Sequence, residues 1–92
     1  MCFGVYLEDK QIGFARVATD YTVFAYLMDV FILPEHQGNG YSKQLIKFII
    51  EEPQLQTCTT WMLKTLDAHG LYKQYSFTEL KNPERVMERL LK

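Results

Sequence analysis

The chain has 92 residues, 48% of them apolar and 14% aromatic, which makes a single folded domain with a thin core and excludes a disordered chain. Ten basic against eleven acidic residues leave a formal charge of −1 and no basic run, so nothing here tracks a nucleic acid backbone. Two cysteines, Cys2 and Cys58, without CxxC spacing exclude a disulfide framework and a zinc site and fit a reducing cytoplasm, and the longest apolar run is too short to cross a bilayer.

The opening third reads as an antiparallel meander. Cys2 to Leu7 carries Phe3, Val5 and Leu7 at one parity and Tyr6 at the other, the alternation of a strand, and Glu8-Asp9-Lys10 turns it. Gln11 to Ala18 is a second strand in which Gly13 marks a bulge, and Thr19-Asp20-Tyr21 is the second turn. Val23 to Leu33 is apolar at both parities, which predicts a strand covered on both faces. Asp29 interrupts that run. A carboxylate there is costly unless hydrogen-bonded or protonated, so Asp29 is either a structural contact or a tuned acid/base group.

Pro34-Glu35-His36-Gln37-Gly38-Asn39-Gly40-Tyr41-Ser42 follows, and then a helical pattern from Tyr41 to Glu52. Strand, glycine turn and helix in that order can hold an anion, because the first turn of a helix has backbone N–H groups without partners of their own. Gly38 and Gly40 tolerate positive φ and leave those amides uncovered. The turn lacks the Gly-Lys-Ser/Thr ending of a P-loop and the third glycine of a dinucleotide fingerprint. On these residues alone it is either a phosphate cradle or an ordinary strand-to-helix loop. The helix points Tyr41, Leu45, Ile46, Phe48 and Ile49 inward and Ser42, Lys43, Gln44 and Lys47 outward, and Pro53 ends it.

Thr57 to Lys64 reads as the next strand, a parallel neighbour of Val23–Leu33 across a right-handed helical crossover. Asp67 can cap a short helix whose Ala68, Leu71, Tyr72 and Tyr75 share a face. Asn82 and Pro83 open a C-terminal helix with Val86/Leu90 and Met87/Leu91 at i, i+4. The fold class is therefore α/β (α+β) in one domain over residues 1–92: a mixed sheet made of an antiparallel meander and then a strand-helix-strand crossover.

Two stretches carry a family resemblance. Gln37-Gly38-Asn39-Gly40-Tyr41-Ser42 resembles the Gln/Arg-x-x-Gly-x-Gly/Ala turn of the GNAT acetyltransferase superfamily, with Ser42 in place of the last Gly or Ala. Ala68 to Phe77 resembles that superfamily's Ala-x-x-Leu-Tyr-x-x-x-Gly-Phe, with Ser76 in place of Gly, and Thr65 to Tyr72 is similar to a subgroup form Thr-x-Asp-Ala-His-Gly-Leu-Tyr. Together, in this order and at this separation, they identify the chain as a member. Ser76 must then close its helix without glycine's freedom.

The resemblance implies a GNAT-like fold and transfer of an acetyl group from acetyl coenzyme A to the amine of a small molecule or peptide. It implies that the pyrophosphate lies over Gln37, Gly38, Asn39, Gly40, Tyr41 and Ser42, with Tyr41 packed under the turn. The backbone of Phe31, Ile32 and Leu33 would pair with pantetheine and polarise the thioester carbonyl, their side chains being core. Tyr72 is either the acid that protonates the leaving thiolate or a core tyrosine, and Asp29 is the base, directly or through water, with Glu35 in reserve. Lys43 and Lys47 either reach the phosphates or form a solvated face. His36 and His69 are surface residues without a third ligand, so no metal is expected. Members usually carry a strand and one or two helices before the meander, so the chain reads as N-terminally shortened, with a bare sheet edge and apolar surface that predict a homodimer. The other functional class is a GNAT-like acyl-coenzyme A binding or assembly protein without turnover.

Overall fold

A computed structural model describes residues 1–66 and 68–91. Strands β1 (Cys2–Leu7), β2 (Lys10–Thr19) and β3 (Phe24–Ile32) form the expected meander, helix α1 (Tyr41–Ile50) follows, and β4 (Thr60–Leu63) and the short helix α2 (His69–Lys73) complete the regular elements. The sheet runs in the order β1-β2-β3-β4, with β1–β2 and β2–β3 antiparallel and β3–β4 parallel. The mixed sheet and the parallel crossover are thus as the periodicities predict. The cap assigned to Asp67 falls outside the described residues.

Two bulges shape the meander. Val5 pairs with Gly13 and Tyr6 with Gln11, so Ile12 is the extra residue on β2, and Gln11 Nε2 donates to the Gly13 carbonyl at 3.1 Å. Gly13 is required there because a Cβ would come within 2.5 Å of Ile32 Cδ1 and 3.0 Å of the Phe31 carbonyl oxygen. The second bulge lies in β3. Phe14 pairs with Phe31 and Arg16 with Met28, and Asp29 in this interval takes φ +56°. The extra residue resets the alternation, which is why Leu27 and Ile32, an odd number of residues apart, both point into the core.

The turn into β3 is fixed by one side chain. The Asp20 carboxylate accepts from the amides of Phe24 at 3.1 Å and of Thr22 and Val23 at 2.9 Å, and these bonds hold its carboxyl below the ordinary value.

The core lies on one face of the sheet. Phe3, Ala15, Val17, Ala25, Leu27 and Ile32 meet Leu45, Ile46 and Ile49 of α1 and Tyr72 of α2 in a single cluster. Fully burying an Ile such as Ile46 or Ile49 contributes about 2–3 kcal/mol, so the apolar stripe of α1 is what holds the crossover against the sheet. The other face of β3 is not covered as its composition predicts. Phe24, Tyr26 and Met28 are half-buried and Phe31 is exposed, because α1 and α2 both pack on the opposite face and no other described element crosses this one.

Two further expectations are corrected. Phe48, assigned to the inward stripe, is 63% exposed, with its ring edge-on to Phe3 of the outer strand β1 at 6.0 Å between ring centroids. The predicted C-terminal helix does not form. Pro83–Arg85 makes a single 3-10 turn without a side-chain cap from Asn82, and Val86 is extended. A lone helix of that length is marginal in water unless its apolar face is buried, and Met87 and Leu91 here are 92% and 77% exposed.

Candidate functional site

The site begins where β3 ends. Pro34–His36 forms a 3-10 turn that lifts the chain off the strand, and Gln37 returns in extended conformation. Gly38 and Gly40 then take φ +85° and +81°, a region that side chains with a Cβ rarely enter, and a Cβ built on either would meet nothing within 4 Å. The glycines are there for backbone conformation and open access, not for packing. Gly40 is also the cap residue of α1 and supplies no side-chain hydrogen bond to it. The first amide to find a helical partner is that of Gln44, which donates to the Gly40 carbonyl at 3.1 Å. The amides of Gly38 to Lys43 are consequently without partners among the described residues, at the positive end of a helix dipole.

These amides border a cleft of about 200 Å³ lined by Ile32, His36, Gln37, Gly38, Gly40, Tyr41, Ser42, Lys43 and Leu71. The Gln37 side chain ties the turn to the strand, donating from Nε2 to the Ile32 carbonyl at 2.9 Å, and Asn39 Nδ2 donates to the His36 carbonyl at 3.3 Å. Both side chains brace the turn and leave the amides free. Tyr41 is half-buried against the core, as its place under the turn requires, and Ser42 lines the cleft. Lys43 lines the cleft as well, while its carbonyl accepts from Tyr75 Oη at 3.0 Å, so the segment just after α2 is anchored to the first turn of α1. A row of bare amides beside one lysine suits a phosphate or pyrophosphate.

The residues before the turn form an open strand edge. β4 pairs with β3 only from Phe24 to Leu27, so β3 continues alone from Met28 to Ile32 on that side, past the bulge at Asp29. The Leu33 amide donates to the Ile12 carbonyl at 2.7 Å, and antiparallel alternation then directs the backbone of Ile32 toward the open edge. A linear amide-bearing ligand can pair there as a strand would. Ile32 and Leu33 keep their side chains wholly or partly buried, but Phe31, expected in the core, is exposed and rests on Phe14 at 6.2 Å between centroids.

Asp29 is not the buried carboxylate that an apolar run suggests. Its side chain is 53% exposed, and Oδ2 lies 2.8 Å from Nη2 of Arg16, which also approaches Met28 Sδ at 3.2 Å. The bulge turns the carboxylate out of the core, so it is not the desolvated group that the apolar run suggests. Arg16 is the residue that sequence reading missed. The only signal for it was a charged side chain at outward parity in the middle of β2.

Tyr72 is buried, with its ring edge-on to Phe77 at 5.8 Å, and burial raises its phenol above the ordinary value of 10.0. Its hydroxyl has no hydrogen-bond partner among the described residues, yet it is not sealed from solvent. It lies beside a cleft of about 280 Å³ along β4, with His69 and Lys73 of its own helix at the rim. Asp29 is held toward the outward-facing Arg16 of β2, whereas Tyr72 packs in the core cluster, so the structure does not place the two side by side. Glu35 is exposed in the 3-10 turn, as is His69 on α2, and no group of three metal-ligating side chains occurs among the described residues.

Comparison with known proteins agrees with this fold. Residues 1–79 match the family model of the acetyltransferase (GNAT) domain. A candidate acetyltransferase of Gibberella zeae is 45% identical over 47 residues, covering 51% of this chain and 27% of that protein. An uncharacterized N-acetyltransferase of Pyropia yezoensis is 33% identical over 80 residues, covering 86% of this chain and 45% of that protein. Among solved structures, a candidate GNAT-family acetyltransferase of Xanthomonas campestris pv. campestris superposes with a TM-score of 0.94 at 50% identity, covering 98% of this chain and 63% of that one. A Clostridium acetobutylicum acetyltransferase solved with acetyl-CoA shares the fold at a TM-score of 0.76 and 17% identity, again over 98% of this chain and 63% of that one. The chain thus spans less than half the length of the two curated relatives and under two thirds of these structures.

Proposed function

Since the chain belongs to the GNAT acetyltransferase family, we propose that it binds acetyl coenzyme A with the pyrophosphate over Gln37–Ser42 and transfers the acetyl group to the amine of a small molecule or peptide. The observation that carries this reading is the run of unpartnered amides from Gly38 to Lys43, opened by two left-handed glycines at the start of α1. Bound acetyl coenzyme A supplies the acetyl group as a thioester and leaves as a thiol. The open strand edge at Ile32, whose carbonyl already accepts from Gln37 Nε2, would offer its amide to pantetheine and so orient the thioester. Asp29 accepts the proton of the attacking amine, directly or through water, and Tyr72 gives its phenolic proton to the departing sulfur. Its raised pKa keeps that proton in place at neutral pH. Free thiols at Cys2 and Cys58 suit the reducing cytoplasm, where we place the protein.

A second reading, cofactor binding without turnover, draws support from the Arg16–Asp29 pair, since one oxygen of the carboxylate is already engaged by a guanidinium. The two part on one measurement: an amine screen for acetyl-dependent thiol release yields turnover under the first and none under the second. The shared claim is tested by calorimetry of the Gly38→Ala/Gly40→Ala variant, in which a Cβ disfavours the left-handed backbone that keeps the amides uncovered. Coenzyme A affinity should fall about 100-fold, and unchanged affinity in a variant that melts cooperatively overturns the proposed site.

A further inference from the structure

The Arg16–Asp29 pair lies on the face of the sheet that no described helix covers, next to a strip of aromatic rings. Gly4 is the cross-strand partner of Phe14, and Phe14 of Phe31, so the outward positions of these three residues stand side by side. The Tyr6 ring lies where a Gly4 side chain would be, since a Cβ there would come within 2.7 Å of its Cε2. Tyr6, Phe14 and Phe31 therefore make one strip across three strands, and Tyr6 and Phe31 are exposed. The next row holds Arg16 opposite Met28, and the bulge brings Asp29 to it. Arg16 Nη2 meets Asp29 Oδ2 at 2.8 Å and Met28 Sδ at 3.2 Å, while its other guanidinium N–H groups and Asp29 Oδ1 have no partner among the described residues. Asp29 and Phe31 come just before Ile32 in β3, whose edge is the proposed seat of the thioester.

A guanidinium and a carboxylate in contact carry no net charge. A simple ammonium gains at Asp29 and is opposed by Arg16, whereas a zwitterion satisfies both. In an α-amino acid the two charged groups stand on neighbouring atoms, which suits two side chains that already touch, and the third substituent is free to lie on the aromatic strip. We propose that the acceptor is a free α-amino acid with an apolar or aromatic side chain. Its carboxylate takes the spare N–H groups of Arg16, its ammonium takes Asp29, and its side chain lies on Phe14 and Phe31. This assignment rests on the acetyl-transfer reading and makes Arg16 the residue that sets acceptor specificity. In the transfer the amine nitrogen bonds to the acetyl carbon as the carbon–sulfur bond breaks. The ammonium gives up two protons, the coenzyme A thiolate gains one, and the other goes to water. The N-acetyl product has no positive charge for Asp29 to hold, so it binds less well than the substrate it came from.

Phenylalanine, phenylalaninamide and phenylethylamine, which differ in whether a carboxylate stands beside the amine, test this on the whole chain. Calorimetry with excess coenzyme A should show phenylalanine binding about 10-fold or more tightly than the other two, and thiol release from acetyl coenzyme A should show a kcat/KM preference at least as large. Arg16→Gln should bring both ratios close to one, chiefly through KM, and Arg16→Lys should keep part of them. Phe31→Ala should cut the advantage of phenylalanine over alanine about 5-fold. Equal binding of the three compounds overturns the proposal, and so does a preference that survives Arg16→Gln in a variant that melts like the parent. Thiol release on phenylethylamine without any preference for phenylalanine removes this site and leaves acetyl transfer standing. Preferential binding of phenylalanine without thiol release keeps the amino-acid site and removes the turnover.

Discussion

The amide of Phe77 donates to the carbonyl of Tyr72 at 3.2 Å, and the amide of Ser76 to that of Lys73 at 3.2 Å, so α2 ends in the paired bonds that close a helix through a left-handed residue. That residue is Ser76, at φ +70°, and the Tyr72–Phe77 ring contact covers the turn. A serine there carries a cost of about 1–2 kcal/mol that glycine avoids, partly offset by glycine's greater freedom in the unfolded chain. Ser76→Gly should therefore stabilise by about 0.5–1 kcal/mol, seen as a melting temperature higher by a few degrees. An unchanged or lower melting temperature would contradict it.

Tyr72→Phe separates chemistry from packing. The hydroxyl has no described partner, so removing it should leave stability within about 0.5 kcal/mol and coenzyme affinity unaltered, while kcat on any accepted amine falls about 100-fold or more. Normal turnover in the Phe variant would demote Tyr72 to a core residue.

The same residue makes an alkaline signature. Below the ordinary tyrosine value of 10.0 the phenol is protonated in both folded and unfolded chains and contributes no pH dependence. Above it the unfolded chain loses its proton first, so stability falls as pH rises toward the raised folded-state value. Denaturant titrations from neutral to alkaline pH should show that decline in the parent chain and a smaller one in Tyr72→Phe.

Gly13→Ala tests the β2 bulge. Its methyl group would collide with Ile32 Cδ1 and press on the Phe31 carbonyl and Val5 Cβ, the last at 3.2 Å. Since two of the three contacts are with backbone or the stiff start of a side chain, the expected loss is about 1–3 kcal/mol in urea unfolding. Because Ile32 also sets the open edge of β3, coenzyme binding should weaken in parallel.

β1 is expected to bring copies of the chain together. It is an outer strand with no charged residue from Cys2 to Leu7, and exposed Phe48 of α1 stands next to it beside a cleft of about 410 Å³. Light scattering should give a mass that rises from monomer to dimer with concentration, and Val5→Lys should suppress it. A concentration-independent monomer would refute the expectation.

Much of this architecture is legible in the residues themselves, because it depends on local period. Phe3 and Val5 alternate, Leu45, Ile46 and Ile49 recur at helical spacing, and the glycines at 38 and 40 announce positive φ before any coordinates are known. What sequence cannot show is register. Asp29 reads as buried because the run around it is apolar, and only the pairing of β2 with β3 shows that an extra residue turns it outward to Arg16. Phe48 fits the helical stripe but stands at the outermost strand, β1, where its ring stays largely exposed. The C-terminal segment has a capping residue, a well-placed proline and i, i+4 pairs, yet these local signals specify a helix only if some surface takes up its apolar face.

The bare start of α1 lets folding and occupancy agree at a single residue. An aspartate in place of Gly40 would offer a capping carboxylate, but at φ +81° its Cβ costs about 1–2 kcal/mol, more than the few tenths by which aspartate caps better than glycine. Its carboxylate would also sit on the amides as a permanent resident anion that every incoming phosphate has to displace. The glycine that leaves the amides bare is therefore also the residue that this backbone holds at least cost.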